Sequence, residues 1–324
     1  MVKAIQIQRP GSPEVIEVVD LDVPAPGKGE IRVRHTAVGL NFIDTYHRSG
    51  LYPLQMPSGL GLEAAGVVEA VGSGVTGLSE GDRIAYGTGP IGSYAEARVM
   101  PADKVVKLPG SISDETGAAM MLKGMTAQYL IRRIYPVQAG ETVLFHAIAG
   151  GVGLIACQWL KALGATVIGT AGSEDKADLA KAHGCDHVIL YRKEDIAERV
   201  KEITGGKKVP VVFDGVGKDT WVPSLDSLQP RGLLVSYGNA SGPVRDVDLG
   251  ILSAKGSLFV TRPTLMHYTA TPDEMRATAQ DVIDVVASGK VKIDINQRYA
   301  LSDARQAHED LEARKTTGQT ILIP

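Results

Sequence analysis

Cysteine and aromatic residues are scarce in this chain of 324 residues, which has two Cys, four Phe and two Trp, with aromatics making up 5% of the sequence. Two cysteines cannot build the disulfide framework of a small secreted scaffold, nor the set of about four thiolates that holds a structural zinc. Cys157 and Cys185 therefore read as small buried residues. A net charge of −3 gives no general attraction to nucleic acid or anionic membranes, because that attraction needs clustered Lys and Arg to displace counterions. A basic stripe with interleaved aromatics, as RNA binding requires, is also missing. No apolar run reaches the ~18 residues of a membrane span and no charged-then-apolar leader opens the chain, so a cytoplasmic protein is the expectation.

What the chain does have is apolar residues at 44%, enough for full interiors, and 37 glycines, which imply many tight turns. The most informative turn is Ala147-Ile148-Ala149-Gly150-Gly151-Val152-Gly153, which leaves the apolar run 142–146 and enters Leu154-Ile155-Ala156-Cys157. A glycine turn between strand and helix lets backbone approach a pyrophosphate closely, and the first-turn N–H groups and helix dipole stabilise its charge. The pattern is that of a cradle for a nicotinamide or flavin nucleotide, with Ile148 where the first glycine of G-x-G-x-x-G would stand.

Apolar, β-branched runs at 165–169, 187–190, 209–213 and 233–237 alternate with helical stretches at 174–183 and 194–204. That rhythm predicts a doubly wound parallel sheet whose ligand lies at the carboxyl ends of its strands. The first ~120 residues differ, with short strands at 3–8, 15–19, 31–38, 66–71, 83–86 and 105–108 between Pro- and Gly-rich turns, which predicts an antiparallel β domain. A helix at 273–287, a strand at 297–301, a helix near 302–314 and an apolar end at 320–323 form a tail expected to return to the first domain.

Several segments in order then carry a resemblance: Gly39-Leu40-Asn41-Phe42-Ile43-Asp44-Thr45-Tyr46, Gly59-Leu60-Gly61-Leu62-Glu63-Ala64-Ala65-Gly66, Gly81-Asp82-Arg83, the 147–153 turn, Phe213-Asp214-Gly215-Val216-Gly217 and Ser236-Tyr237-Gly238-Asn239. Together they resemble the medium-chain dehydrogenase/reductase superfamily, and within it the zinc-free NADPH:quinone oxidoreductases related to zeta-crystallin. The resemblance implies an α/β protein with a GroES-like antiparallel β catalytic domain (1–122 and 265–324) and a Rossmann doubly wound parallel-sheet domain (123–264), with the active site in the cleft between them and a linking helix near 121–135. It also implies a homodimer that continues the nucleotide-domain sheet across a two-fold through an edge strand at 257–261.

Zinc-dependent members of the superfamily carry a cysteine and a histidine where this chain has Asn41 and Leu62, and neither residue supplies such a ligand. A metal-free site is therefore expected. Without a Lewis acid, deprotonating an alcohol near neutral pH is hard, whereas delivering hydride to an electrophilic quinone or activated alkene needs little beyond positioning. The resemblance implies that Asn41, Asp44 and Tyr46 line the cleft beside the nicotinamide, with Phe42 and Ile43 on the cofactor side. Asn41 is assigned to orienting ribose or nicotinamide and Tyr46 to hydrogen-bonding the acceptor carbonyl as a neutral donor, its reference pKa being near ~10. Packing against Leu51-Tyr52-Pro53 is the alternative for Tyr46, and capping of a local helical turn the alternative for Asp44. His47 and Arg48 are expected at the solvated rim.

NAD-specific sites place a carboxylate at the end of the second strand, about twenty residues past the glycine turn. Here that stretch reads Thr170-Ala171-Gly172-Ser173-Glu174-Asp175-Lys176, with no acid at the strand end itself. Ser173 can cap the next helix and donate to a phosphate, Lys176 can reach the same oxygens, and Tyr191 and Arg192 can stack on adenine and add positive charge. Glu174 and Asp175 are expected to point outward, complementing the helix dipole, so the cofactor expected is NADPH. By resemblance, Lys123, Thr126 and Tyr129 lie near the nicotinamide ribose, Gly150, Gly151 and Val152 hug the pyrophosphate, and Gly172 belongs to the adenine side. Val216 and Gly238-Asn239-Ala240-Ser241 close over the cofactor, and Phe259, Val260, Thr261 and Thr317 complete the nicotinamide side. Reduction of α,β-unsaturated carbonyls by the same hydride geometry is the alternative reaction, and the resemblance brings with it a crystallin or RNA-binding role as an alternative of another class.

Overall fold

The computed structural model describes residues Met1–Pro324. In chain order the first strands are β1 (Val2–Ile7), β2 (Glu17–Leu21), β3 (Glu30–Gly39), β4 (Ser58–Gly59), β5 (Glu63–Val71), β6 (Arg83–Tyr86), β7 (Ala97–Pro101) and β8 (Val106–Lys107), with α1 (Phe42–Ser49) after β3 and α2 (Asp114–Gln128) after β8. A parallel set follows, β9 (Thr142–Phe145), β10 (Thr166–Ala171), β11 (His187–Leu190), β12 (Val209–Asp214), β13 (Leu228–Ser236) and β14 (Phe259–Thr261). Between these strands lie α3 (Gly151–Ala162), α4 (Glu174–Ala182), α5 (Ile196–Ile203), α6 (Trp221–Ser227) and α7 (Gly250–Ala254). The chain ends with α8 (Leu265–Tyr268), α9 (Pro272–Ala287), β15 (Ile295–Ala300), α10 (Ala304–Glu312) and β16 (Gln319–Ile323). No helix is long and apolar enough to cross a membrane.

Two compact units result, one made of Met1–Met125, Thr269–Ser288 and Ile293–Pro324, the other of Thr126–Tyr268 and Gly289–Lys292. In the first, a small sheet runs β2-β1-β4 and a larger one runs β15-β16-β3-β5-β6-β8, with β7 also on β3. These pairings are antiparallel except β15 with β16, which run parallel. The terminal strand thus joins the same sheet as the early strands, Ile321 and Leu322 standing opposite Gly39 and Val38. Ile31, Val33, Leu60, Ile84, Tyr86, Tyr94 and Leu322 fill its interior. Helix α9 begins where Thr271 and Glu274 cap each other's backbone N–H and Pro272 opens the first turn, and it buries Met275, Thr278, Ala279, Val282 and Ile283, a helical stripe.

In the second unit the sheet order is β11-β10-β9-β12-β13-β14, every pair parallel. Strand order therefore reverses beside β9, between β9 and β12, the place where such sheets hold ligands. Leu144, Ile168, Val212 and Leu234 pack with Val200 of α5 and Leu225 of α6 on one face. The alternating Val143, Phe145, Val211 and Phe213 are as deeply buried, so both faces are covered, and this is why the strands read as continuous apolar runs rather than alternating ones.

The linking helix and β7 are among the elements that differ from the sequence expectation. The helix expected near 121–135 starts at Asp114, because Ser113 accepts the Thr116 N–H at 3.1 Å and Asp114 and Glu115 favour a first helical turn; beyond Gln128 it passes into a π-helical turn, Tyr129–Ile134. Strand β7 was not anticipated, since its residues do not alternate; pairing with β3 from Glu30↔Pro101 to Arg34↔Ala97 makes it a strand.

Candidate active site

Helix α1 begins at the end of β3, where the Asn41 N–H donates to Asp44 Oδ2 at 2.9 Å. The Asn41 side chain is held by a different group, Nδ2 donating to Glu63 Oε2 at 2.8 Å. Glu63 is wholly buried at the start of β5, and its other partners are Lys123 Nζ at 2.9 Å and, on Oε1, the Leu122 N–H at 2.7 Å. One carboxylate therefore gathers an amide from the start of α1 and an ammonium and a backbone N–H from α2. Gly39 is required by this arrangement: a Cβ there would lie 2.2 Å from Glu63 Oε2 and 2.3 Å from the Ala118 carbonyl.

Asp44 is also wholly buried, and Tyr94 donates its hydroxyl to Oδ2 at 2.9 Å while Oδ1 has no partner. Burial lifts the Asp44 carboxyl to about 7, opposed by the Asn41 N–H, the Tyr94 hydroxyl and Lys123 and assisted by Glu63. Behind Tyr94 lie His308 (Nε2 to Tyr94 Oη, 3.2 Å) and Arg48, whose Nη1 is 3.2 Å from His308 Nδ1. Arg48 only donates, so the single proton of a neutral His308 sits on Nε2 and points at Tyr94. Burial, with Arg48 adding to it, holds the His308 imidazole down at about 3, in keeping with that neutral form. Arg48 in turn makes a bidentate pair with Glu312 at 2.7 and 3.0 Å.

His47 and Arg48 were expected at the solvated rim, and the structure corrects this: both are buried, because the i+4 spacing from Asp44 turns Arg48 toward α10. Tyr46 is buried too, its ring 5.2 Å from Tyr52 in an edge arrangement and 5.6 Å from Phe42, so the packing alternative is realised in geometry. Phe42 and Ile43 are half-buried on the same helix, and Thr317 accepts from Asn296 at 2.9 Å. No group of three or more His, Cys, Asp or Glu side chains comes together where it could hold a metal ion, and the two positions compared with zinc enzymes are the amide Asn41 and the buried, apolar Leu62.

In the second unit the glycine turn follows β9 and α3 starts at Gly151. Ile148, in the place of the first glycine, is buried and packs on Gly169 of β10. A Cβ on Gly153 would meet the Ile148 and Ala147 carbonyl oxygens at 2.5 and 2.6 Å, so the helix approaches the turn as closely as a dinucleotide cradle requires. Gly150 and Val152 lie in the same turn and first helical residues. At the end of β10, Gly172 lies against Tyr191, whose hydroxyl would be 2.7 Å from an added Cβ. Ser173 makes no side-chain cap to α4, contrary to the capping expectation; only its carbonyl takes part, accepting the Ala177 N–H as the first helical bond. Glu174 is exposed and bonds Lys193 at 3.0 Å, and Lys176 is half-buried on α4. Val216 and Ser241 bond each other through backbone and hydroxyl at 2.8 and 2.9 Å, and Ala240 N–H donates to the Gly215 carbonyl, so 238–241 folds onto the turn after β12. Thr126 is buried; Tyr129 is buried with its ring stacked 4.8 Å from Tyr268. Phe259 and Val260 are exposed on edge strand β14, next to the half-buried Thr261.

Glu63, Tyr94, His308 and Glu312 were not assigned roles from the sequence. Their signals are a lone acid in the apolar run Leu62-Glu63-Ala64-Ala65 and a histidine on the apolar stripe Ala304, Ala307, His308, Leu311 of α10.

Residues 27–110 match the alcohol dehydrogenase GroES-like domain family, and residues 151–287 match the zinc-binding dehydrogenase family. The chain is 58% identical, over 100% of both chains, to a quinone oxidoreductase of Pseudomonas aeruginosa. It is 45% identical to a 2-haloacrylate reductase of a Burkholderia species, over 100% of this chain and 99% of the relative. A crystal structure of the Escherichia coli quinone oxidoreductase complexed with NADPH superposes with a TM-score of 0.98 at 52% identity, covering 99% of this chain and 100% of that one.

The Asp44 proton has a thermodynamic signature. Because the folded protein holds it up to about 7 while the unfolded chain releases it near ~4, the stability it contributes is complete below ~4 and is lost as pH rises through 7. Relative to Asp44→Asn, which does not titrate, wild-type stability from urea unfolding should fall by on the order of 2–4 kcal/mol between about pH 4 and pH 8. A difference that stays flat across that interval contradicts the assignment.

Proposed function

Given that this chain belongs to the quinone oxidoreductase family of the medium-chain dehydrogenase/reductase superfamily, we propose that it catalyses NADPH-dependent reduction of quinones. The observation that carries the reading is the 58% identity over the full length to a quinone oxidoreductase, in a fold whose glycine turn leads from β9 into α3.

Residues of the second unit fit a dinucleotide. The close approach at Gly153 and the N-terminus of α3 suit the pyrophosphate, with Gly150, Gly151 and Val152 against it. No carboxylate stands at the end of β10, where an acid would bind an unphosphorylated ribose; Ser173 and Lys176 take the 2′-phosphate, and Lys193 neutralises Glu174. Tyr191 flanks Gly172 for the adenine, with Arg192 beside it, and Val216 with 238–241 closes the nicotinamide side. Phe259, Val260, Thr261, Thr126 and Tyr129 belong to the same set, as does Thr317 of the first unit. Bound NADPH supplies the hydride.

The first unit supplies orientation rather than metal chemistry. Glu63 clamps Asn41 and Lys123, so an amide and a cation are presented in fixed positions toward ribose and nicotinamide, with Phe42 and Ile43 alongside. Tyr46 donates a hydrogen bond to the acceptor carbonyl, and Asp44 holds the start of α1. Neither Asn41 nor Leu62 offers the thiolate or imidazole that zinc prefers.

The 45% identity to a 2-haloacrylate reductase favours a second reading, reduction of an activated alkene. That reaction needs a proton delivered to carbon besides the hydride. A homodimer paired through β14, where Phe259 and Val260 are exposed at the sheet edge, and a cytoplasmic location belong to the same proposal.

Following NADPH absorbance with 1,4-benzoquinone and a panel of enones in the presence of chelator tests this. The expected result is chelator-resistant quinone turnover, kcat/KM for NADPH at least ~10-fold above NADH, and a rate loss of ~10–100-fold in Tyr46→Phe. Absence of pyridine-nucleotide binding, or turnover abolished by chelator and restored by zinc, overturns the reading.

A further inference from the structure

Four buried polar side chains lie beneath the carboxyl ends of the central strands of the parallel sheet, where nothing apolar forces them: His146 just past β9, Thr170 in β10, Asp214 closing β12 and Ser224 on α6. They touch in a row. The Ala147 N–H lies 3.2 Å from Thr170 Oγ1, Thr170 Oγ1 lies 3.1 Å from His146 Nδ1, His146 Nε2 lies 3.0 Å from Ser224 Oγ, and Ser224 Oγ lies 2.9 Å from Asp214 Oδ2. Asp214 also accepts from Thr220 Oγ1 at 2.7 Å and, through Oδ1, from the N–H groups of Val216 and Gly217 at 2.7 and 3.1 Å.

The Asp214 end of the row fixes the direction of its bonds as far as His146, and the neutral form of that ring fixes the rest. A carboxylate can only accept, so the one Ser224 proton is directed at Asp214 and the Ser224 oxygen accepts from His146 Nε2. A backbone N–H can only donate, so the Thr170 oxygen accepts from Ala147; with the one proton of a neutral His146 on Nε2, Nδ1 accepts the Thr170 proton. Histidine is the side chain that donates on one side and accepts on the other across this span, and it does so only as the neutral Nε2–H form. Burial holds the His146 imidazole below its ordinary value, against the pull of Asp214, in keeping with that form.

Both ends of the row are turns. At one end Ala147 adopts φ +52°, a left-handed conformation that a non-glycine residue needs support to keep, and its carbonyl accepts the Gly150 N–H at 2.9 Å. At the other end Asp214 shapes the turn through Val216 and Gly217, onto which 238–241 folds. We propose that His146 is a positioning residue for the cofactor: its Nε2–H tautomer locks the spacing between the 147–150 turn and the 214–217 turn. This rests on the reading that those two turns hold NADPH. The residue touches neither cofactor nor substrate and acts by keeping two backbone surfaces preorganised.

The test combines NADPH titration, steady-state kinetics and 15N NMR of the histidine side chains in the full chain. Besides the Nε2–H signal of His308, wild type should show a second imidazole in the Nε2–H form, absent from the spectrum of His146→Gln and unchanged between about pH 5 and pH 8. His146→Leu should weaken NADPH binding and raise its KM by ~10-fold or more, while kcat at saturating NADPH changes by less than ~3-fold. His146→Gln, which retains a donor and an acceptor, should recover part of the loss. Should His146→Leu not fold, Thr170→Val carries the same expectation, since it removes the link to Ala147. An Nδ1–H or imidazolium signal for His146 overturns the proposal, as does unaltered NADPH affinity in the folded variants. Failure of wild type to bind NADPH counts instead against the function from which it starts, and the tautomer measurement still reports on the row itself.

Discussion

The Glu63 carboxylate is the constraint on which the first unit's polar centre depends. Buried at the head of β5, it accepts from the Asn41 amide, the Lys123 ammonium and the Leu122 backbone N–H, and so ties α1 and α2 to the large sheet. A buried charge is costly unless it is paired and hydrogen-bonded, and here three donors, one of them a cation, answer it. Such a pair adds little net stability over an apolar substitute, but removal of one member leaves the other uncompensated. What it provides is fixed direction: the Asn41 side chain points where Glu63 holds it.

The second unit solves the same problem with uncharged hydroxyls and one imidazole. Asp214 collects two backbone N–H groups and two hydroxyls, and the row through Ser224, His146 and Thr170 reaches the glycine turn. In both units a buried carboxylate at a strand end organises backbone and side chains around itself by accepting from several donors at once.

Much of this was legible before any coordinates. The parallel sheet declared itself through runs such as Val211, Val212 and Phe213, because strands covered on both faces need apolar residues throughout. The cradle was visible because Gly150 and Gly153 sit between such a run and a helix, and Gly153 is a position where backbone contact leaves no room for a Cβ. Strand β7 was hidden, since a neighbour rather than a pattern makes it a strand. The polar rows were also hidden. Glu63, His146, Asp214 and His308 are single residues in apolar surroundings, and their partners Asn41, Thr170, Ser224 and Arg48 lie 10 to 260 residues away in the chain. Arg48 reads as a surface residue beside Ser49 and Gly50, and only the packing of α1 on α10 turns it inward to His308 and Glu312.

The central claim is that Glu63 and Lys123 act as one buried unit that fixes Asn41. A double-mutant cycle with Glu63→Gln, Lys123→Met and the pair, followed by denaturant unfolding, measures it directly. The account predicts a loss of about 3–5 kcal/mol for either single change and a coupling energy of about 2 kcal/mol or more, the double variant being less impaired than the sum. Strictly additive losses, or single variants as stable as wild type, would contradict it.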